Sequence, residues 1–156
     1  MDISLRPVSS GDLPVIDGWA SGIGTDYLSR THPFDEAALG HDPGSGLYWY
    51  VITENGADVG TIWIEVLPAG SEAVLGVFLS DPSLFGRGIG TASVRLAVAA
   101  FRRERPRLAV VLRVRRANAR AIACYRSAGF AVTGTGEKVL PSGERVAFCR
   151  MELTGP

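Results

Sequence analysis

The sequence predicts an α/β domain, a mixed sheet with helices on both sides. Short apolar runs of strand length recur between Ile3 and Leu153. Two longer segments place apolar residues at helical spacing instead: Leu13, Ile16, Trp19 and Ala20, then Ile89, Ala92, Leu96, Ala99 and Ala100. Turn chemistry separates the runs, at Asn55-Gly56, Pro68-Ala69-Gly70-Ser71 and Pro141-Ser142-Gly143. At 156 residues the chain reads as one domain, 1–156, long enough for a substantial core.

The elements follow in order. Ile3 to Val8 reads as a short strand ending at Pro7. Ser9-Ser10-Gly11-Asp12 offers helix caps, and the helix through Leu13 and Trp19 ends at Gly22 and Gly24. Residues 25–46 are polar and read as a long loop with a short helix over 35–39. Tyr48 to Thr53 is a strand, and Asn55-Gly56 turns it back into Val59 to Leu67. Alternation puts Val59, Thr61, Trp63 and Glu65 on one face. Ala73 to Ser80 is the next strand, stopped at Asp81-Pro82-Ser83. A helix over 88–103 carries Arg102, Arg103 and Arg105 at its negative end, and Pro106 stops it. Leu108 to Val114 reads as a buried strand. Asn118 caps a helix to about Ala128, with Gly129 as its stop. Phe130 to Thr135 and Glu144 to Leu153 are the last strands.

Net charge is zero, but the halves differ. Residues 1–84 hold twelve acidic and two basic residues; residues 85–156 hold four acidic and fourteen basic ones. Formal charges of −10 and +10 result, which suit a cationic acceptor and an anionic cofactor respectively. Charges scattered over solvated faces are the alternative. The overall balance, and the lack of a basic–aromatic motif, argue against a nucleic-acid partner. No apolar run approaches the ~20 residues of a membrane span. Met1-Asp2-Ile3-Ser4-Leu5-Arg6 lacks the pattern of a signal peptide, so the expected location is the cytoplasm. Cys124 and Cys149 make no disulfide framework, and His32 and His41 stand without clustered ligands, so no metal is expected.

One stretch organises the rest: Phe85-Gly86-Arg87-Gly88-Ile89-Gly90-Thr91, between a strand and a helix. Its glycines let the backbone take unusual dihedrals and let a ligand approach the amides. The first amides of a helix lack internal partners and carry partial positive charge, which suits a phosphate. A P-loop needs Lys-Ser/Thr after its last glycine, and Ile89-Gly90-Thr91 does not supply it. The dinucleotide fingerprint needs a glycine at position 91, which is Thr. A ligand-free glycine turn remains the alternative on this stretch alone.

With the later segment Asn118-Ala119-Arg120-Ala121-Ile122-Ala123-Cys124-Tyr125-Arg126-Ser127-Ala128-Gly129-Phe130, this turn resembles the GNAT superfamily of N-acetyltransferases. The resemblance covers about residues 74–153. Within the superfamily, the second segment is most similar to aminoglycoside 6′-N-acetyltransferases and ribosomal-protein N-terminal acetyltransferases. It implies a mostly antiparallel mixed sheet flanked by helices on both faces, and acetyl-CoA as co-substrate. Phe78, Leu79 and Ser80 would meet pantetheine and the acetyl group through their main chain. Gly86, Arg87, Gly88, Ile89, Gly90 and Thr91 would hold the pyrophosphate, with Arg87 adding a charge-assisted contact. Phe85 departs from the family's Arg or Gln, which removes a side-chain contact there. Asn118 would touch CoA, or only cap its helix; Arg120 would reach a CoA phosphate, or form a surface salt bridge.

The resemblance also implies the chemistry. Tyr125 would be the general acid toward the leaving thiolate, since a phenol near pKa 10 is a plausible donor. A core aromatic is its plainer reading, and Cys124 reads as core. The related aminoglycoside enzymes carry an Asp at the position aligned with Gly76, so a carboxylate is missing. Glu65 and Glu72 are the replacement bases considered. The expected reaction moves acetyl from acetyl-CoA to a primary amine of a cationic small molecule, an aminoglycoside first. Residues 25–46 would help form the acceptor site, and the reading admits a homodimer. A protein N-terminal acetyltransferase and a non-catalytic acetyl-CoA-binding domain are the alternatives.

Overall fold

The computed structural model describes residues 1–23, 39 and 46–154. The short helix expected over 35–39 lies outside the described residues except for Leu39, as do His32 and His41. The elements are β1 (Ile3–Pro7), α1 (Leu13–Ile23), β2 (Leu47–Glu54), β3 (Ala57–Val66), β4 (Glu72–Leu79), α2 (Ile89–Glu104), β5 (Ala109–Arg115), α3 (Ala119–Ser127), β6 (Phe130–Val139) and β7 (Arg145–Leu153). The strands form one sheet in the order β1-β2-β3-β4-β5-β7-β6. Every neighbouring pair is antiparallel except β4 and β5, which are parallel.

Helices cover both faces because the strands are apolar on both. Ile62, Ile64, Leu75, Leu112 and Met151 face α2, whose Ile89, Val94, Ala97 and Phe101 are buried against them. Trp49, Val51, Trp63 and Phe78 face the other way, onto Ile16 and Ala20 of α1. Trp49 donates from Nε1 to the Thr61 hydroxyl at 2.8 Å, so that face keeps a polar group satisfied inside it.

Two strands differ from the sequence expectation. Val59 does not share a face with Thr61 and Trp63; it packs with Ile62 and Ile64. Ile52 pairs with Gly60 and Thr53 with Asp58, so Val59 is an extra residue that breaks the alternation. The strand expected to end at Thr135 continues to Val139 through Gly134 and Gly136. The Phe148 ring lies over Gly136, where an added Cβ would sit 2.7 Å from it. The glycine therefore makes room for a cross-strand aromatic rather than ending the strand.

The feature that places the site is where β4 and β5 part. They pair only at Glu72–Ala109, Ala73–Val110 and Val74–Val111. Past Val74 the two strands have no register with each other, and a gap opens in mid-sheet.

Candidate active site

The gap is the mouth of a cleft of about 310 Å³, with β4 as one wall and β5 with α3 as the other. Along a strand, the N–H and C=O of alternate residues point to the same side. The Ser80 amide donates to the Val59 carbonyl at 2.8 Å, and the Glu72 carbonyl accepts from Leu67 at 3.0 Å. Even-numbered residues of β4 therefore serve β3, and the main chains of Val77 and Leu79 face the gap. Of the main chains expected there, Leu79 is so placed; Phe78 and Ser80 are turned to β3. Phe78 still lines the cleft.

The glycine turn closes one end. Asp81 caps a 3-10 turn (Pro82–Leu84) by accepting from the Ser83 amide at 2.8 Å, and Phe85 donates back to the Pro82 carbonyl. Gly86 and Gly88 then take φ of +78° and +82°, a region glycine enters without steric cost. Gly88 is the N-cap of α2, and the Ala92 amide is the first to reach back, to the Gly88 carbonyl at 3.1 Å. The amides of Ile89, Gly90 and Thr91 precede that bond, so they have no carbonyl one turn back. They sit at the positive end of a sixteen-residue helix.

Phe85, Gly90 and Asn118 line the cleft with Phe78 and Leu79. Ile89 is buried beneath the turn in the core. Asn118 is the N-cap of α3, accepting from the Ala121 amide at 3.1 Å. Arg87 goes elsewhere: its guanidinium pairs with Glu54 of β2 at 2.6 Å and does not line the cleft. The helices meet closely at Gly90, where an added Cβ would lie 3.1 Å from Cys124 Sγ. Cys124 Sγ is also 3.4 Å from the Thr91 hydroxyl. Cys124 thus faces the cleft, where the sequence reading had it in the core.

Tyr125 lies in the wall of the cleft, buried, with its ring edge-on to Phe130. Burial pushes its phenol well above the ordinary value; Cys124 adds to this and Arg120 opposes it. The phenol is therefore protonated at neutral pH and has a proton to give.

The carboxylates are arranged differently. Glu72 sits at the paired end of β4 and holds Arg150 at 2.8 Å. Glu65 is buried on the α1 face of β3, between Leu47 and Val74. Neither lines the cleft. At Gly76 the reason for the missing carboxylate is visible: a Cβ there would run into the Trp63 indole. Trp63 occupies that place and lines the cleft. Register puts Trp63, Gly76 and Phe78 on one face with Arg113 and Arg115 across the gap.

Sequence reasoning left Trp63 open between site and core, and did not single out Val77, Arg113 or Arg115 as cleft residues. The alternation Leu112-Arg113-Val114-Arg115 was the available signal, since it turns both arginines to one face. What hid them was the gap itself, which no local pattern announces. Among the described residues, no three metal-ligating side chains gather.

In fold, the chain is similar to the aminoglycoside acetyltransferase AAC(6')-Ib in complex with coenzyme A and kanamycin. The TM-score is 0.69 at 21% identity, over 96% of this chain and 94% of that one. The same enzyme in complex with paromomycin and acetyl-CoA gives 0.69 at 21% identity, over 96% and 93%. A chimera of spermidine N-acetyltransferase SpeG from Vibrio cholerae and hSSAT gives 0.76 at 18% identity, over 98% and 95%. No curated protein matches the chain. Residues 17–130 match the acetyltransferase (GNAT) family, a stretch that holds both walls of the cleft and the turn between them; the chain belongs to that family and is an acetyltransferase.

Proposed function

We propose that this protein transfers an acetyl group from acetyl-CoA to a primary amine of a cationic small molecule, by direct attack. The observation that carries this reading is the gap past Val74. It has free helix amides at one end and a protonated, buried phenol in its wall. The α2 amides receive the diphosphate. The main chains of Val77 and Leu79 receive pantetheine as an added strand would be received. The acetyl group then lies between β4 and Tyr125.

The chemistry needs no covalent enzyme intermediate. The amine nitrogen attacks the thioester carbonyl, and the C=O electrons move to oxygen. The nitrogen, cationic after attack, gives its extra proton to solvent, and the tetrahedral intermediate collapses, re-forming C=O and breaking C–S. Tyr125 Oη–H gives its proton to the leaving thiolate and regains one from solvent. The acceptor attacks as its neutral amine, the ammonium having given up its proton to solvent. Desolvation against Trp63 and Phe78 favours the neutral amine.

Two observations support a cationic acceptor. Residues 1–84 carry a formal charge of −10. The similar structures include one holding kanamycin and a spermidine acetyltransferase. Thiol release from acetyl-CoA should be measured against aminoglycosides, polyamines and peptides with free N-termini. Turnover of an aminoglycoside or polyamine is the expected result. Turnover of a peptide alone replaces the acceptor; CoA binding with no thiol release for any amine replaces the enzyme with a binding domain.

A further inference from the structure

The glycine turn has a cation of its own, but Arg87 is held by Glu54 at 2.6 Å and is turned from the cleft. A different arginine stands at the mouth. Arg120, in the first turn of α3, lays its guanidinium over the Phe85 ring, 3.5 Å from the centroid. Both residues line the cleft, Arg120 from the α3 wall and Phe85 from the turn that closes its end. A flexible side chain is thereby held on an aromatic platform next to the α2 amides. A guanidinium stacked on a ring keeps its N–H edge free for oxygen acceptors.

We infer that Arg120, positioned by Phe85, supplies the side-chain cation that binds the diphosphate of the acyl carrier. This rests on the cofactor reading above and adds to it. Phe85 lacks the polar contact expected at its position, and the stack with Arg120 of α3 replaces it. Phe85 is a positioning residue; Arg120 touches the ligand. The contact makes the protein discriminate against carriers that lack the diphosphate.

The test is calorimetry on the full chain with CoA, 3′-dephospho-CoA and pantetheine. Arg120 is exposed, so the Arg120→Gln variant should keep the wild-type fold and melting temperature. It should bind CoA and dephospho-CoA about tenfold more weakly, as expected for one charge-assisted contact, with pantetheine unchanged. Phe85→Leu should lose about threefold for the same two ligands, by freeing the side chain it holds. Phe85→Arg in the Arg120→Gln background should restore much of the loss. Unchanged CoA affinity in Arg120→Gln overturns the inference. So does an equal loss for pantetheine, which would mark a change of shape. A loss confined to CoA places Arg120 on the 3′-phosphate and overturns the assignment to the diphosphate. If the unmutated protein binds none of the three ligands, the cofactor reading itself fails, a result distinct from all of these.

Discussion

Tyr125 gathers the site's chemistry at the scale of one residue. Its ring packs on Phe130 in the core while the residue lines the cleft. Core aromatic and general acid were alternatives in the sequence; a buried wall position makes them compatible. Tyr125→Phe keeps the ring and removes the proton. Turnover should fall ~10–100-fold with CoA affinity unchanged. Unchanged turnover removes Tyr125 from the mechanism. The raised pKa gives a second readout, with a definite sign. An unfolded tyrosine ionises near pH 10, and the folded one above it. Above pH 10 the unfolded chain binds fewer protons than the folded one, so stability falls as pH rises. Tyr125→Phe should lessen that alkaline loss, measured as the midpoint of urea unfolding. The same phenol should not limit the rate below pH 10.

Between strands, the contact of Trp63 with Gly76 decides which catalytic groups the cleft can contain. These residues are direct neighbours across β3 and β4, and the indole takes the volume of the absent side chain. The sequence exposed half of this relation. Gly76 stood out as a missing carboxylate, but its partner could not be named without register. Gly76→Asp should therefore fail to raise turnover. Forcing a side chain against the indole should cost about 1–3 kcal/mol of stability, read from denaturant unfolding. A faster enzyme with unaltered stability would contradict this. The other departures have the same origin. Periodicity placed the strands and helices, because each has a local apolar pattern. It misplaced Val59, whose face depends on a bulge set by β2. It cut the sixth strand short at Thr135, whereas the strand runs on past Gly136, whose lack of a side chain admits the Phe148 ring. The resemblance gave Arg87 a phosphate contact, and Glu54, thirty-three positions away, pairs with it instead.

Across the whole molecule, the strands of the two differently charged halves lie on opposite sides of the gap, while α2 of the basic half lies across β1 to β4. The acidic residues 1–84 contain β1 to β4, and the basic residues 85–156 contain β5 to β7. The sheet order keeps those sets apart, and they part at the gap that forms the cleft. The cleft is thus a boundary between an acidic set of strands and a basic one. Its described lining carries Arg113, Arg115 and Arg120 and no carboxylate, which suits an anionic carrier. This much was legible in composition, since the charges change sign near residue 85. The gap was not, because it arises from pairing that stops after three residues on strands whose sequences continue as strands. The most direct measurement is a crystal structure of the protein grown with CoA. The diphosphate should lie on the amides of residues 86–91, with the sulfur beside Tyr125 Oη between β4 and β5. A nucleotide bound elsewhere, or a cleft left vacant at saturating CoA, would contradict the account.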